Sequence, residues 1–291
     1  MRANPTVRTG MRETAAGLFC AVAALVLVSW PTLRWMTERF DASDSFYSHG
    51  WLVPLASAWL MWQRREVIKA CTLQPSFWGL AFLVPSLLVH AVATVWHLGF
   101  LGGLAMLGTL YGLVWTWWGG RAFWVLRFPL AFLLFMVPLP GVLLIATSFH
   151  MKLMAAGLAT HVIQLIGISA HQAGSMIQVP GMNVIVDDTC SGLRSLISLI
   201  ALSTLWTSLL PGSAKTWQKL MVVAASIPIA ITGNMVRIVF LVLLSAVYGP
   251  KVAASFIHYG SGIVVFGIVL VALAWVSHLV QQWPRPSNDL E

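Results

Sequence analysis

Charged side chains are scarce in this sequence, and their scarcity restricts its class. Aspartate, glutamate, lysine and arginine make up 9% of the 291 residues, whereas hydrophobic residues make up 58%. Soluble proteins average about 25% charged residues. So few charges fit a chain of this length only if most of it lies where burying a charge is prohibitive, as in a lipid bilayer. The composition excludes an ordinary soluble domain and predicts a polytopic membrane protein.

Cysteine is also rare, and metal-binding motifs are missing. Cys20, Cys71 and Cys190 are too far apart for a CxxC redox or zinc motif and cannot form a disulfide framework. The histidines between residues 150 and 171 are separated by 11 and 10 residues, which matches no ligand motif. Neither HExxH nor GxGD occurs, which excludes the zinc and aspartyl intramembrane proteases. We therefore expect no metal and no other cofactor.

Basic residues outnumber acidic ones by 17 to 9, and their positions predict the topology. In a soluble protein the net charge of +8 would suggest nucleic-acid binding, but in a membrane protein it reflects the positive-inside rule. The N-terminal arginines, the cluster QRREVIK at 63–69 and the lysines at 215 and 219 alternate with apolar stretches. They predict that both termini are cytoplasmic. The first apolar stretch is expected to be a span and not a removable signal peptide, because it lacks a small-residue cleavage site and further spans follow it.

The apolar stretches predict an all-α fold of about eight transmembrane helices in a single domain, 1–291. The predicted spans are 14–30, 48–62, 77–96, 98–118, 122–140, 193–210, 220–247 and 259–280. Residues 31–50 are expected to form an external loop. Residues 142–190, between the fifth and sixth helices, are expected on the outer face because polar side chains interrupt them. Their first part, 142–168, predicts an interfacial helix, and the rest an extended chain or short hairpin.

Four polar residues are predicted to share one level at the outer membrane boundary. An α-helix rises 1.5 Å per residue, so Arg237, 18 residues after the lysine at 219, lies about 27 Å from the inner edge of its span. The same calculation places Arg194 about 32 Å from the lysine at 215. Cys190 precedes Arg194 by four residues, and His258 comes just before the last span. Polar residues that meet at a membrane boundary are a candidate site.

The residues alone leave two interpretations of this group open. The threonine and serine that flank Cys190 are credible helix N-caps, and both a helix N-terminus and the Arg194 guanidinium stabilise a thiolate, the nucleophilic form. The two aspartates that precede Cys190 oppose this effect unless they are paired elsewhere. Alternatively, Cys190 is an inert apolar residue, Arg237 snorkels from a helix end and His258 is a solvated loop residue.

Four motifs resemble those of the exosortases, bacterial polytopic membrane enzymes of the exosortase/archaeosortase family. The motifs are FYSHGWLVPL at 46–55, DDTCSGLRSL at 187–196, NMVR at 234–237 and IHYG at 257–260. Exosortases are thought to process proteins that carry a C-terminal PEP-CTERM sorting tail. The resemblance implies a catalytic set of Cys190, Arg237 and His258. It also implies substrate-binding roles for Arg194, Asn234, Tyr47 and His49.

The resemblance further implies a membrane-embedded cysteine protease or transpeptidase of the bacterial inner membrane. It would cleave such tails at the outer face through a thioester. The tail consists of a Pro-Glu-Pro motif, an apolar helix and basic residues held in the cytoplasm. The nucleophile that resolves the thioester is left open, with transpeptidation preferred. The expected partners are the membrane and protein substrates, without nucleic acid.

A transporter or flippase for an anionic lipid-linked substrate is the alternative from another class. Arg194, Arg237 and Asp188 would then line the substrate path. Transporters favour charges near the membrane midplane and inverted repeats, and neither is apparent in this sequence.

Overall fold

The computed structural model describes residues 17, 19–43, 45–71, 74–186, 191–210, 214–248 and 256–282. The chain divides into two compact units, Met1–Pro140 and Gly141–Glu291, and each is described by itself. Cys190 and the two aspartates before it lie outside the described residues.

The first unit begins with two helices that meet at a sharp bend. α1 (Phe19–Val28) and α2 (Trp30–Asp41) are inclined to each other by 70°. α2 has a proline in its first turn, where the missing N–H costs no helical hydrogen bond. Its buried side chains are Thr32, Met36 and Phe40, which recur every fourth residue along one face. The expected external loop over 31–50 is therefore wrong for residues 31–41, which are helical.

The predicted span at 48–62 contains a short helix. A 3-10 turn (Ser48–Trp51) leads into α3 (Leu52–Gln63), and α4 (Arg65–Ala70) follows with part of the basic cluster. The 12 residues of α3 rise about 18 Å, whereas the apolar core of a bilayer is about 30 Å thick. α3 alone is therefore shorter than a complete crossing.

Two long helices of the first unit form a tight hairpin. α5 (Trp78–Val95) matches the predicted span 77–96, whereas α6 (Gly99–Phe132) covers the predicted span 98–118 and ends inside the predicted span 122–140. The helices approach closely where Gly112 faces the backbone of Leu83, since a Cβ at Gly112 would lie 2.7 Å from the Leu83 Cα. Small residues permit such contacts between membrane helices.

α6 is interrupted at Gly119, in the turn predicted between the spans 98–118 and 122–140. The residue has φ of 80° and ψ of 176°, outside the helical region. The carbonyl of Gln74 occupies the space that a side chain at Gly119 would need. A residue without Cβ is required here both by the dihedral angles and by the contact.

Pro129 in the second half of α6 accounts for two side-chain contacts. Proline has no N–H, so the carbonyl of Val125 lacks its usual helical donor. The Arg64 guanidinium donates to that carbonyl instead. The Ser57 hydroxyl donates to the Pro129 carbonyl at 2.7 Å, where α6 gives way to a 3-10 turn (Leu133–Met136). The polar groups exposed by the proline thus join α6 to α3 and to the arginine that follows it.

The second unit begins with a helix where an interfacial one was expected. α7 (Gly141–Leu165) has 25 residues and is apolar enough to cross a membrane. It includes Lys152, which favoured the outer-surface interpretation of 142–168. Its length and apolar composition make it a candidate membrane span, and the interfacial placement stays a prediction.

Three short strands follow α7, in agreement with the predicted extended segment. They are β1 (His171–Ala173), β2 (Met176–Val179) and β3 (Met182–Ile185). They form an antiparallel meander in the order β1-β2-β3, with Gln172 opposite Ile177 and Ile177 opposite Val184. The meander leads towards the cysteine motif.

The last three helices match the predicted spans closely. These are α8 (Leu193–Leu209), α9 (Thr216–Tyr248) and α10 (Phe256–Gln282), for the predicted spans 193–210, 220–247 and 259–280. Among the described residues, five helices have the length and composition of a span, or six if the bent pair α1–α2 counts as one. A mostly helical membrane protein is confirmed, whereas the number of eight spans remains a prediction.

Candidate functional site

The candidate site of the second unit is built from the start of α8, the middle of α9 and the start of α10. α8 is preceded by Gly192, whose φ of 81° is left-handed. The Gly192 carbonyl accepts the first helical hydrogen bond from the Leu196 N–H at 2.9 Å. Ser191, one of the two predicted N-caps, lies one residue before the observed N-cap, Gly192. Its hydroxyl nevertheless accepts a hydrogen bond from the Leu193 N–H at 3.3 Å.

Asn234 on α9 packs directly against this turn. Its side chain is buried, with 6% exposed. A Cβ at Gly192 would lie 2.8 Å from the Asn234 Nδ2, closer than real side chains approach. Gly192 is thus required both by its positive φ and by the Asn234 amide. This contact joins α9 to the chain two residues after Cys190 in sequence.

Arg237, one turn further along α9, lies against α10. Its guanidinium carbon is 3.5 Å from the position that a Cβ at Gly262 would take. Ser195, Asn234, Arg237 and Gly262 all line one enclosed cavity of about 20 Å³. A volume of this size holds about one water molecule, and its lining offers hydroxyl, amide and guanidinium groups as partners.

The other predicted residues of this group are placed by their backbone. His258 lies in the first turn of α10, four residues or about 6 Å of helical rise before Gly262. Arg194 is half-buried in the first turn of α8, next to Ser195. The helical path from Arg194 ends at Leu209, so the predicted 32 Å measured to the lysine at 215 overestimates its helical depth. The Asn234–Gly192 contact relates α8 to α9 directly.

Tyr47 and His49 belong to the first unit, where they are parts of a local cluster. Their rings stack with centroids 5.7 Å apart. The Tyr47 hydroxyl accepts a hydrogen bond from the Leu139 N–H at 3.1 Å, and His49 is hydrogen-bonded to the Phe135 backbone. Burial raises the pKa of the Tyr47 phenol, and the Leu139 hydrogen bond opposes this shift. These contacts order the segment that contains VPLPG.

Three residues of the site region were missed by the sequence analysis. Gly192 and Ser195 lie inside the cysteine motif, but the sequence analysis assigned no role to either residue. Gly233 allows α9 to approach the Val269 side chain on α10, whereas Gly260 and Gly267 face open space. A glycine directly before the first helical residue is a recognisable signal for a left-handed turn. The contact of Gly233 has no comparable signal in one sequence.

A comparison with protein families identifies the family of this chain. Residues 35–275 match the family described as Transmembrane exosortase (Exosortase_EpsH). The chain belongs to the transmembrane exosortase family. The resemblance seen in the four motifs is thereby confirmed, and the matched region contains every predicted site residue. No curated protein and no solved structure gives a significant match to this exosortase.

Proposed function

We propose that this exosortase is a cysteine peptidase or transpeptidase that cleaves C-terminal PEP-CTERM-type tails. Cys190 is the nucleophile, His258 the general acid and base, and Arg237 the residue that stabilises the oxyanion. The observation that carries the proposal is the placement of Arg237. It shares one cavity with Asn234, which packs against the turn at Gly192 within the cysteine motif, and it faces α10 one turn from His258.

The proposed reaction begins with transfer of the Cys190 thiol proton to the His258 imidazole. The thiolate attacks a peptide carbonyl carbon of the tail, and the carbonyl oxygen becomes an oxyanion. The carbon–nitrogen bond then breaks as His258 returns the proton to the leaving amine. The products of this half-reaction are the thioester on Cys190 and the released tail. An acceptor amine, hydroxyl or water completes the reaction by attacking the thioester.

Arg237 contributes most while the oxyanion exists. A donor aimed at the developing charge is worth about 3 to 4 kcal/mol in comparable reactions. Arg194 and Asn234 have substrate-binding roles in the proposal, and Arg194 can pair with the glutamate of the tail motif. Tyr47 and His49 are assigned substrate-binding roles in the proposal on their motif, and within the first unit Tyr47 bonds to the Leu139 N–H.

The proposal places the enzyme in the bacterial inner membrane with both termini in the cytoplasm and the site facing the periplasm. The basic cluster at 63–69 and the lysines at 215 and 219 support this orientation through the positive-inside rule. A tail anchored by cytoplasmic basic residues then presents its motif at the outer boundary.

The test is tail cleavage in cells that contain a tagged substrate with a Pro-Glu-Pro motif, an apolar helix and a basic end. We expect Cys190→Ala to abolish cleavage, with Cys20→Ala and Cys71→Ala as matched controls that cleave normally. Wild-type cleavage by Cys190→Ala would contradict the mechanism. If Cys190→Ser retained full cellular function while Arg237→Ala lost it, the transporter alternative would be favoured instead.

A further inference from the structure

The meander before the cysteine motif has one buried face, and among the described residues no strand pairs with the outer edge of β3. Ile177, Val179 and Val186 are buried in a core cluster that also contains Ile163 of α7 and Ile238 of α9. The opposite face is exposed, as the side chains of alternate residues in β3 show. The packing fixes the meander to two transmembrane helices, and β3 is an edge strand of the sheet.

The register of β2 and β3 determines which backbone groups face the open edge. The Val186 N–H donates to the Ser175 carbonyl at 2.9 Å, so Val186 and Val184 direct their backbone groups towards β2. Because these directions alternate along a strand, Asn183 and Ile185 direct their N–H and C=O groups away from β2. Both side chains are exposed, Ile185 at 61%.

The two edges of the meander differ. On β1, the Gln172 amide donates to the Leu153 carbonyl of α7 at 3.0 Å and to the Gly174 carbonyl at 2.9 Å, which fastens that edge to the helix. β3 has the sequence MNVI, without the charges or proline that commonly protect an exposed edge. Unprotected edges are the usual sites at which an extended peptide adds to a sheet.

The position of β3 connects this edge with the candidate site. β3 ends at Ile185, five residues before Cys190 in sequence. The next residue, Val186, belongs to the same core cluster as Ile238, the neighbour of Arg237 on α9. A peptide paired along β3 would therefore be held beside the part of α9 that carries the guanidinium.

We propose that the extended segment of the peptide substrate binds by adding a fourth strand to β3, with hydrogen bonds to the backbone of Asn183 and Ile185. This docking mode rests on the proposed function, since it assigns the substrate of the same site. Main-chain pairing supplies affinity, and specificity comes from side chains of alternate residues. Two outward-facing residues are too few for a stable contact between two sheets, so a short peptide fits this edge better than a second copy of the chain.

The proposal also predicts which residues of the tail motif face β3. In an extended chain, residues two apart direct their backbone groups to the same side. The prolines of Pro-Glu-Pro have no N–H, so within this motif only the glutamate can donate a backbone hydrogen bond to the carbonyls of β3. We therefore expect the side of the peptide that carries the glutamate N–H to face β3. The prolines then face away from β3, and the residue before each one is restricted to extended conformations.

Photocrosslinking tests the docking without relying on catalysis. Full-length Cys190→Ala protein carries benzoylphenylalanine at Asn183, or at His171 on the fastened edge as the matched control. The probe is a synthetic tail peptide with the Pro-Glu-Pro motif. We expect the Asn183 position to crosslink the peptide several-fold more than the His171 position. Equal or absent crosslinking would overturn the docking mode, even if wild-type protein cleaves the tail.

A backbone substitution gives an independent measurement on active enzyme. Ile185→Pro removes an N–H that does not pair with β2, whereas Ile185→Ala keeps it and removes only the side chain. We expect Ile185→Pro to raise the KM for the peptide about tenfold, the equivalent of one or two hydrogen bonds, with kcat retained. Ile185→Ala should change KM much less. Val184→Pro breaks the pairing with β2 and is the comparison variant, since it shows how much activity is lost when the meander itself is disrupted.

The two experiments separate the docking mode from the proposed function. Crosslinking at Asn183 by a protein that does not cleave tails in any variant would retain the docking mode and reject the peptidase. Normal cleavage with an unchanged KM in Ile185→Pro would reject the docking mode and retain the peptidase. An equal rise of KM in Ile185→Pro and Ile185→Ala would assign the edge to side-chain contact and also reject strand addition.

Discussion

The two units of this exosortase share one use of polar residues and differ in another. In both units, polar side chains complete the backbone hydrogen bonding of the helices. Ser57 donates to the Pro129 carbonyl in the first unit, and Ser245 to the Leu241 carbonyl in the second. The second unit also contains the polar residues around Arg237, which line a cavity together with Gly262.

The difference indicates a division between scaffold and site. A polar side chain that bonds to a helix carbonyl in a membrane protein stabilises the packing of that helix. Ser195, Asn234 and Arg237 line a cavity, where a substrate or water can contact them. Substitutions in the first unit should therefore change the free energy of unfolding, and substitutions at the cavity should change the free energy of activation.

The largest effect is expected from Arg237→Ala. Removing the oxyanion donor should lower the rate of tail cleavage about 100- to 1000-fold, with little change in the thermal unfolding midpoint. Arg127→Ala in the first unit is the control, because Arg127 lies over the Trp124 ring at 5.0 Å and is not among the residues that line the cavity. A comparable loss of rate in both variants would remove the distinction between scaffold and site. The measurement is a time course of cleavage with purified protein.

The next effect is expected from Arg64→Ala in the first unit. Loss of the charged donor to the Val125 carbonyl should cost about 1.5 to 3 kcal/mol of unfolding free energy. Pro129→Ala restores an N–H for that carbonyl, so the cost of Arg64→Ala should be smaller in the Pro129→Ala background. Additive costs in this double-mutant cycle would show that the two residues act independently. Unfolding in detergent, followed by circular dichroism, provides the values.

A smaller effect on stability but a clear effect on activity is expected from Gly192→Ala. The left-handed φ costs an alanine about 1 to 2 kcal/mol, and its Cβ would also displace the Asn234 amide. Cleavage should therefore fall because both the turn and Asn234 move. Gly260→Ala is the matched control, since a Cβ there meets open space. If the Gly192→Ala protein cleaved tails at the wild-type rate, the turn would have no part in the site.

The smallest effect is expected from Tyr47→Phe. The variant loses one hydrogen bond, to the Leu139 N–H, and should lose about 1 kcal/mol of unfolding free energy. The cleavage rate at saturating substrate should be unchanged. Tyr248→Phe is the control because the Tyr248 side chain is 68% exposed. A specific rise in KM for Tyr47→Phe, without loss of stability, would move Tyr47 from the scaffold to the site.

Most helix positions could be predicted from the sequence, because polar residues interrupt the apolar runs of a membrane protein where the chain leaves the bilayer. The break at Gly119 and the starts of α8 and α9 fall close to their predicted places for this reason. The helix at Trp30–Asp41 was missed, although its buried residues recur with helical spacing, because its charges drew the interpretation towards a loop. α7 was predicted to lie at the interface for a similar reason, since Lys152 outweighed its apolar length.

The site was predictable in its residue types but not in its geometry. Arg237 and Asn234 follow from the motif and from the helical rise, and the structure brings them to one cavity. The role of Gly262 as the surface that the guanidinium packs against needs the relative rotation of α9 and α10, which one sequence does not encode in any local pattern. The contact between Gly192 and Asn234 depends in the same way on tertiary packing.

The short connection between α5 and α6 has a consequence for the biosynthesis of the protein. The two helices are joined by residues 96–98 alone, so the entropy lost on bringing them together is small. Each carries a buried polar group, His90 on α5 and Thr109 on α6. The His90 ring is hydrogen-bonded to the Gly102 carbonyl, so pairing of the two helices satisfies this polar group within the hairpin itself. We expect this hairpin to enter the bilayer as one unit, and to form the template on which the earlier helices assemble.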